Sequence, residues 1–308
     1  MNKPNFHSRI PTWRALVQWG FFAWVVVIGI RFGAFVRHFE TGGATPLVTR
    51  PPGVEGFLPI GALASTKLWL ATGTVNPVHP AALVIFLTIV GMSLVAKKSF
   101  CSWLCPVGTL SEAAWKLGRR LFGRNFRVWP WLDVALRGVK YLLLLFFVKL
   151  ILIDMPALAL SAFLDAPYWA VSDVKMLHFF TNMSATTVVI LAILTGLSFF
   201  YKNAWCRYLC PYGALLGVAS YLSPFKIRRD TAGCTGCLTC VASCPERDVL
   251  RMAPPFWRRP LPAWVFPALV VLLFVAGIGT GMATGNWHSS LSADDYRRLI
   301  PMVPYLSH

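Results

Sequence analysis

Lys97-Lys-Ser-Phe-Cys101-Ser-Trp-Leu-Cys105-Pro106-Val-Gly108-Thr-Leu110 returns further along the chain as Lys202-Asn-Ala-Trp-Cys206-Arg-Tyr-Leu-Cys210-Pro211-Tyr-Gly213-Ala-Leu215. Cys206 against Cys101 and Cys210 against Cys105 give one offset of 105, and the basic residue, aromatic, leucines, proline and glycine fall into register with them. That coincidence is an internal duplication. Two cysteines four residues apart share one face of a helix, with Cβ atoms about 5–6 Å apart, so each copy presents a pair of thiols. Parallel repeats pack about a pseudo-two-fold axis along the membrane normal, which sets the two pairs face to face.

Working outward, each copy follows an apolar segment. Of the 308 residues 56% are hydrophobic and 13% charged, and the mean hydropathy is +0.59. Such a composition excludes an ordinary soluble domain pair and points to the membrane. Apolar stretches at 15–36, 78–96, 138–154, 184–201 and 261–284 approach the roughly 20 residues a spanning helix needs. The fold predicted is an all-α membrane protein, a bundle of about five transmembrane helices built from the two-fold repeat, with a small cytoplasmic ferredoxin-like segment. Its parts are residues 1–137, the first membrane repeat with an external loop; 138–225, the second repeat; 226–260, the iron–sulfur segment; and 261–308, the fifth helix and an external tail. The net charge of +17 lies in loops flanking the spans, with no basic-aromatic stripe, so nucleic acid is not the expected partner. Lys and Arg crowd 97–137 and 202–260, which predicts an inner-membrane, multi-pass protein with the N-terminus and both cysteine loops cytoplasmic and the C-terminus periplasmic.

A second cysteine motif, Cys234-Thr-Gly-Cys237-Leu-Thr-Cys240-Val-Ala-Ser-Cys244-Pro245, has the spacing that folds around a [4Fe–4S] cubane. Zinc sites usually arrive as two separated pairs, so iron–sulfur is the better reading. All eight cysteines fall on the side predicted to be reducing, as ligand thiolates require. There is no Cys-x2-Cys-His haem run, dinucleotide motif or P-loop. Electrons therefore enter and leave through another carrier.

These motifs together resemble the membrane-bound [4Fe–4S] ferredoxin-type proteins of the NapH and NosR kind, the quinol-dehydrogenase membrane subunits of periplasmic nitrate and nitrous oxide reduction. The likeness runs from about Arg50 to Pro245. It implies electron transfer between quinone or quinol in the lipid and a partner redox protein or reductase, or support of that reductase's maturation. Three departures stand out: one ferredoxin run where NapH-like proteins usually carry two, no flavin domain of the NosR type, and a fifth helix that puts the C-terminus outside. Copper-handling membrane ferredoxins are also similar, so a metal reductase or cofactor-assembly factor is the alternative. A redox-sensing membrane regulator is a third.

The metal-ligand candidates are Cys234, Cys237, Cys240 and Cys244, then Cys101, Cys105, Cys206 and Cys210; the paired cysteines fit a cluster, copper or thiol chemistry. Eight thiolates divide into two sets of four, predicting two [4Fe–4S] clusters. Because a Cys before Pro ligates the other cluster in two-cluster ferredoxins, Cys105 and Cys210 are candidates to complete crossed ligand sets, with local ligation as the other arrangement. His79 and His288 are candidate acceptors of quinol protons near the outer face. Lys149, in an apolar run closed by Asp154, is either functional in the bundle interior or snorkels to the surface. Gly277, Gly281 and Gly285 suit close helix packing. Trp13, Trp69, Trp129, Trp131, Trp169, Trp257 and Trp287 read as interfacial anchors, and Trp103 and Trp205 as shields beside the sulfurs. The loop from Phe39 to His79 reads as an ordered cap on the membrane surface.

Overall fold

The structure, a computed structural model, describes residues 10–122, 128–201, 203–224, 226–229, 250–253 and 265–306. The ferredoxin run and Trp257 lie outside them. Among the described residues the regular structure is helical apart from one two-stranded ribbon. The helices are α1 (Ile10–Glu40), α2 (Pro59–Thr72), α3 (Pro80–Ala96), α4 (Ser99–Trp103), α5 (Pro106–Phe122), α6 (Pro130–Val148), α7 (Ala157–Leu164), α8 (Pro167–Ala170), α9 (Ser172–Thr181), α10 (Ala185–Phe200), α11 (Pro211–Ala219), α12 (Val265–Ala283) and α13 (Ala293–Met302). Strands β1 (Lys226–Arg229) and β2 (Leu250–Ala253) pair antiparallel, with Lys226 opposite Ala253 and Arg229 opposite Leu250.

Among the described residues α1 and α12 are long and apolar enough to cross a bilayer alone, and the spans number up to four if each bent pair counts as one. The bent pairs are α6 with α7, at 108°, and α9 with α10, at 78°. The remaining predicted span falls on α3, which has 17 residues. That helix is the interior one: Ala81, Ala82, Leu83, Ile85, Phe86, Ile89, Met92 and Ala96 are buried, so its apolar surface meets protein rather than lipid. The long segment between α1 and α3 folds into the bundle instead of lying on the surface. In it α2 packs on α3, α7 and the π-helical turn Lys149–Asp154 that closes α6, burying Ala62, Ala64 and Leu68. Lys67 Nζ donates to the carbonyls of Ile151 and Leu152 at 3.1 Å each, supplying a charged partner to carbonyls that the end of a helix leaves unpaired.

α12 runs antiparallel to α3 along a seam of small residues. A Cβ on Gly277 would stand 2.2 Å from Thr88 Oγ1 and one on Gly281 2.5 Å from Val84 Cγ1, so both glycines are needed for this approach. Gly285 differs from that expectation: its φ of 74° makes it the left-handed residue of the turn beyond α12, a conformation glycine adopts without strain. Trp169 and Trp287 are 3% and 8% exposed, so both are core residues and not interfacial anchors; Trp129 and Trp131 are open.

Two packed clusters mark the ends of α1. At one end Arg14 and Gln18 of α1 hold the first cysteine loop. At the other Phe32, Phe35, Val36 and Phe39 pack with Tyr296, Ile300 and Val303 of the C-terminal segment. At 1.5 Å per residue, Gln18 and Phe35 are separated by about 26 Å, close to the thickness of a hydrocarbon core. Burial raises the Tyr296 phenol to about 12 from an ordinary 10, with Asp173 and Glu55 adding to the rise and Arg50 opposing it. A raised pKa means stability that is complete below pH 10 and lost as pH climbs through 12. Replacing Tyr296 by Phe is expected to flatten the decline of the unfolding midpoint between those two pH values; an unchanged slope would assign that decline to other groups.

Candidate metal centre

In both copies of the repeat the chain leaves its apolar helix through a residue of positive φ, Lys97 at 56° and Asn203 at 52°. That conformation is uncommon outside glycine and turns the backbone sharply. The first cysteine then sits on a short helical turn, α4 in one copy and the π-helical Trp205–Leu209 in the other. The second cysteine caps the next helix. Cys210 Sγ accepts the Gly213 N–H at 3.2 Å and the Tyr212 N–H also reaches it; the Gly108 and Val107 N–H groups do the same for Cys105.

The Cys-Pro-x-Gly wording of the repeat follows from this geometry. Pro106 and Pro211 occupy the first helical position, where no N–H is required. The next two N–H groups are free to face sulfur. A Cβ at Gly108 would meet the Cys101 carbonyl oxygen at 2.8 Å, so only glycine lets that turn close. Each second sulfur thus stands at a helix N-terminus, where negative charge is favoured.

The copies are interlocked. α5, which follows the first pair, packs along α10, the apolar helix of the second copy; α11, which follows the second pair, packs on α3, the apolar helix of the first. α5 and α10 approach so closely that a Cβ on Gly118 would stand 2.1 Å from the Phe199 carbonyl oxygen. Across the junction, Cys101 and Cys105 pack with Tyr212 and Leu216 in one cluster that includes Phe100, Trp103 and Leu104. Lys98 of the first copy lies over Gly217 of the second.

Burial pushes Cys101 and Cys206 up to about 12. Neighbouring thiols of both copies add to the rise: Cys105 and Cys210 act on Cys101, and Cys105, Cys210 and Cys101 act on Cys206. Burial also raises Cys105 and Cys210, against which the backbone N–H groups pull down. Lys140 and Lys98 pull Cys210 down as well. A half-buried group of thiols with two ammonium groups and two helix N-termini around it suits negative charge, and binding of metal to thiols displaces their protons. Among the described residues no three His, Cys, Asp or Glu side chains stand close enough to close on one ion.

Both cysteine loops are also clasped by the helix that opens their half. Arg14 Nε and Gln18 Nε2 of α1 donate to the Ser102 carbonyl at 3.0 and 2.9 Å, and Arg14 pairs with Glu112. In the second half Asp133 of α6 accepts from Arg207 and from the Tyr208 hydroxyl, each at 2.7 Å. Ser102 and Arg207 are equivalent positions of the repeat, one residue after the first cysteine. The clasp is kept while its chemistry is inverted.

Residues 78–125 and 184–230 each match the family model described as a 4Fe-4S binding domain, one match on each copy of the repeat. Over 96% of this chain and 92% of the relative, the sequence is 44% identical to the putative electron transport protein YccM of Escherichia coli. The chain belongs to this family of ferredoxin-type membrane electron-transfer proteins. More distant members are the ferredoxin-type protein NapH of Haemophilus influenzae, 28% identical over 80% of this chain and 78% of the relative, and the regulatory protein NosR of Pseudomonas aeruginosa, 30% identical over 51% of this chain and 21% of the relative. No solved structure matches.

The residues present fit the iron–sulfur group that membership implies, because the half-buried thiols of both copies lie near enough to act on one another and backbone N–H donors face Cys105 and Cys210. The other candidates lie elsewhere. His79 is 1% exposed, with Nε2 on the Trp169 carbonyl at 2.9 Å and Nδ1 3.2 Å from Arg50 and 3.3 Å from Glu55. Lys149 is exposed and pairs with Asp154 at 3.0 Å, at the surface rather than in the bundle interior. His288 is exposed beside buried Trp287. Sequence reasoning missed Lys98, Lys140, Asp133 and Tyr212. Lys98 carried a signal, since it stands three residues before Cys101; Lys140 sat unremarked midway along α6.

Proposed function

We propose that the chain passes electrons between the quinol pool and a partner redox protein, with both cysteine loops cytoplasmic and the tail after Asn286 periplasmic. One observation supports this reading above the others: an apolar cavity of about 370 Å³ between α1, α3 and α12 is lined by Phe21, Ile28, Ile85, Ile89, Ile278 and Trp287 and extends to Phe100 and Pro106. Its far end is the turn around Pro52 and Gly53. Its walls suit an apolar ring bearing an isoprenoid tail, and Pro106 directly follows Cys105. The slot replaces His79 as the place for quinol, since both ring nitrogens of that histidine are engaged.

An iron–sulfur group supplies one-electron redox chemistry when bound. What the chain supplies is position and environment. Pro106 and Gly108 set Cys105 at a helix N-terminus, Trp103 and Leu104 keep water from the first pair, and Lys98 and Lys140 balance negative charge beside Cys210. The Lys and Arg asymmetry supports the sidedness, and the opposite placement of the cysteine loops and the C-terminal segment along α1 agrees with it.

Filling the slot by Ile278→Trp is expected to slow reduction of the iron–sulfur absorbance by a quinol analogue about tenfold, the effect of some 1.4 kcal/mol of overpacking. Reduction by dithionite should be unchanged. Equal quinol rates in variant and parent would remove the slot from the proposal.

A further inference from the structure

We infer that Cys101, Cys105, Cys206 and Cys210 are the four ligands of one iron–sulfur group shared between the two repeats, separate from the Cys234–Cys244 run. Two matches to an iron–sulfur family model, one on each copy, suggest one group per copy at first sight. The structure argues otherwise. A cubane is held by four thiolates, and each copy brings two to the junction. α5 packs on α10 of the other copy, and α11 packs both on α6 of its own copy and on α3 of the other, so the walls of the junction come from both halves. Cys101 and Cys105 share their packed surroundings with Tyr212, two residues after Cys210, and Tyr212 stacks at a 5.7 Å ring separation on Phe86 of the first copy. Lys98, three residues before Cys101, reaches Gly217 of the other copy.

The spacing also bears on which group fits. Four thiolates on a single tetrahedral ion lie about 2.3 Å from it, and among the described residues no three such donors are gathered that tightly. A cubane sets an iron behind each thiolate and takes a wider ring.

The inference rests on the iron–sulfur reading above but not on quinol, and its test measures metal rather than turnover. Full-length protein, reconstituted without oxygen, is assayed for iron and sulfide and by Mössbauer spectroscopy. The parent is expected to hold about eight iron, and Cys101→Ser, Cys206→Ser and their double variant about four each, because all three remove the same group. A chain with Cys234, Cys237, Cys240 and Cys244 all changed to Ser should keep about four. A double variant that loses more iron than either single one, or a run-less chain with none, overturns the proposal. In that run-less chain, stripped of iron by a chelator, dibromobimane should bridge a thiol of the Cys101/Cys105 pair to one of the Cys206/Cys210 pair, which peptide mass identifies. Bridges confined within each pair, or their complete absence, would equally overturn it. A slot variant that fails in the quinol assay while these metal counts hold separates the two readings.

Discussion

Arg50→Met is expected to cost about 3–5 kcal/mol, the usual penalty for leaving buried charge uncompensated. Arg50 joins three parts of the bundle at the end away from the cysteine loops. Its guanidinium pairs with Glu55 at 2.7 Å and Asp173 at 2.7 Å, with the arginine 8% exposed and both carboxylates fully buried. Glu55 also accepts the Ala82 N–H at 3.0 Å, tying the turn Pro52–Phe57 to the first turn of α3. Burial pulls the Arg50 guanidinium down, but Asp173 and Glu55 outweigh it and its pKa ends above the ordinary value. Methionine matches the stem but leaves two carboxylates facing one another. The unfolding midpoint in detergent should fall by about 6 °C or more, at some 2 °C per kcal/mol for a chain of this size. Adding Glu55→Gln and Asp173→Asn should recover part of that loss, because the penalty belongs to the unpaired charges. A fall of less than about 2 °C would mean that the network contributes little.

Gly118→Val is the second large effect. The new Cβ would need space held by the Phe199 backbone, where a carbonyl oxygen lies at 2.1 Å and a carbonyl carbon at 2.8 Å. Backbone cannot rotate aside as a flexible side chain does, so α5 must separate from α10, at a cost of about 3 kcal/mol or more. Because α5 carries Cys105 at its start, separation also disturbs the cysteine junction. The expected result is a lowered midpoint together with loss of about half the iron, if one of two cubanes is affected. Full iron content with a parent-like midpoint would show that the helices reseat without strain.

The repeat, the apolar segments and the cysteine pairs were legible because each is a local pattern with a fixed period or offset. The pairing of α5 with α10 and of α11 with α3 was not. Nothing in residues 106–122 says which apolar helix they will meet, and Gly118 reads as a weak point of a helix until Phe199 lies beside it. The Arg50 network escaped for a related reason. Arg50, Glu55 and Asp173 are spread over 124 residues, and each alone reads as a loop charge. His79 stood out because histidine invites a chemical role, yet its neighbours assign it to structure. Lys149 shows the same limit, since its exposure beside Asp154 depends on a π-helical turn that hydropathy does not reveal.

The β1–β2 ribbon has a consequence for how the chain tolerates change. Its register brings Arg229 and Leu250 opposite one another, so the twenty residues between them, which include the ferredoxin run, begin and end at one point. Lengthening a closed loop costs only about 0.6 kcal/mol per doubling. A longer segment between Arg229 and Leu250 would leave the paired strand ends where they are, and a graft of a second cysteine run there is the engineering that the ribbon invites.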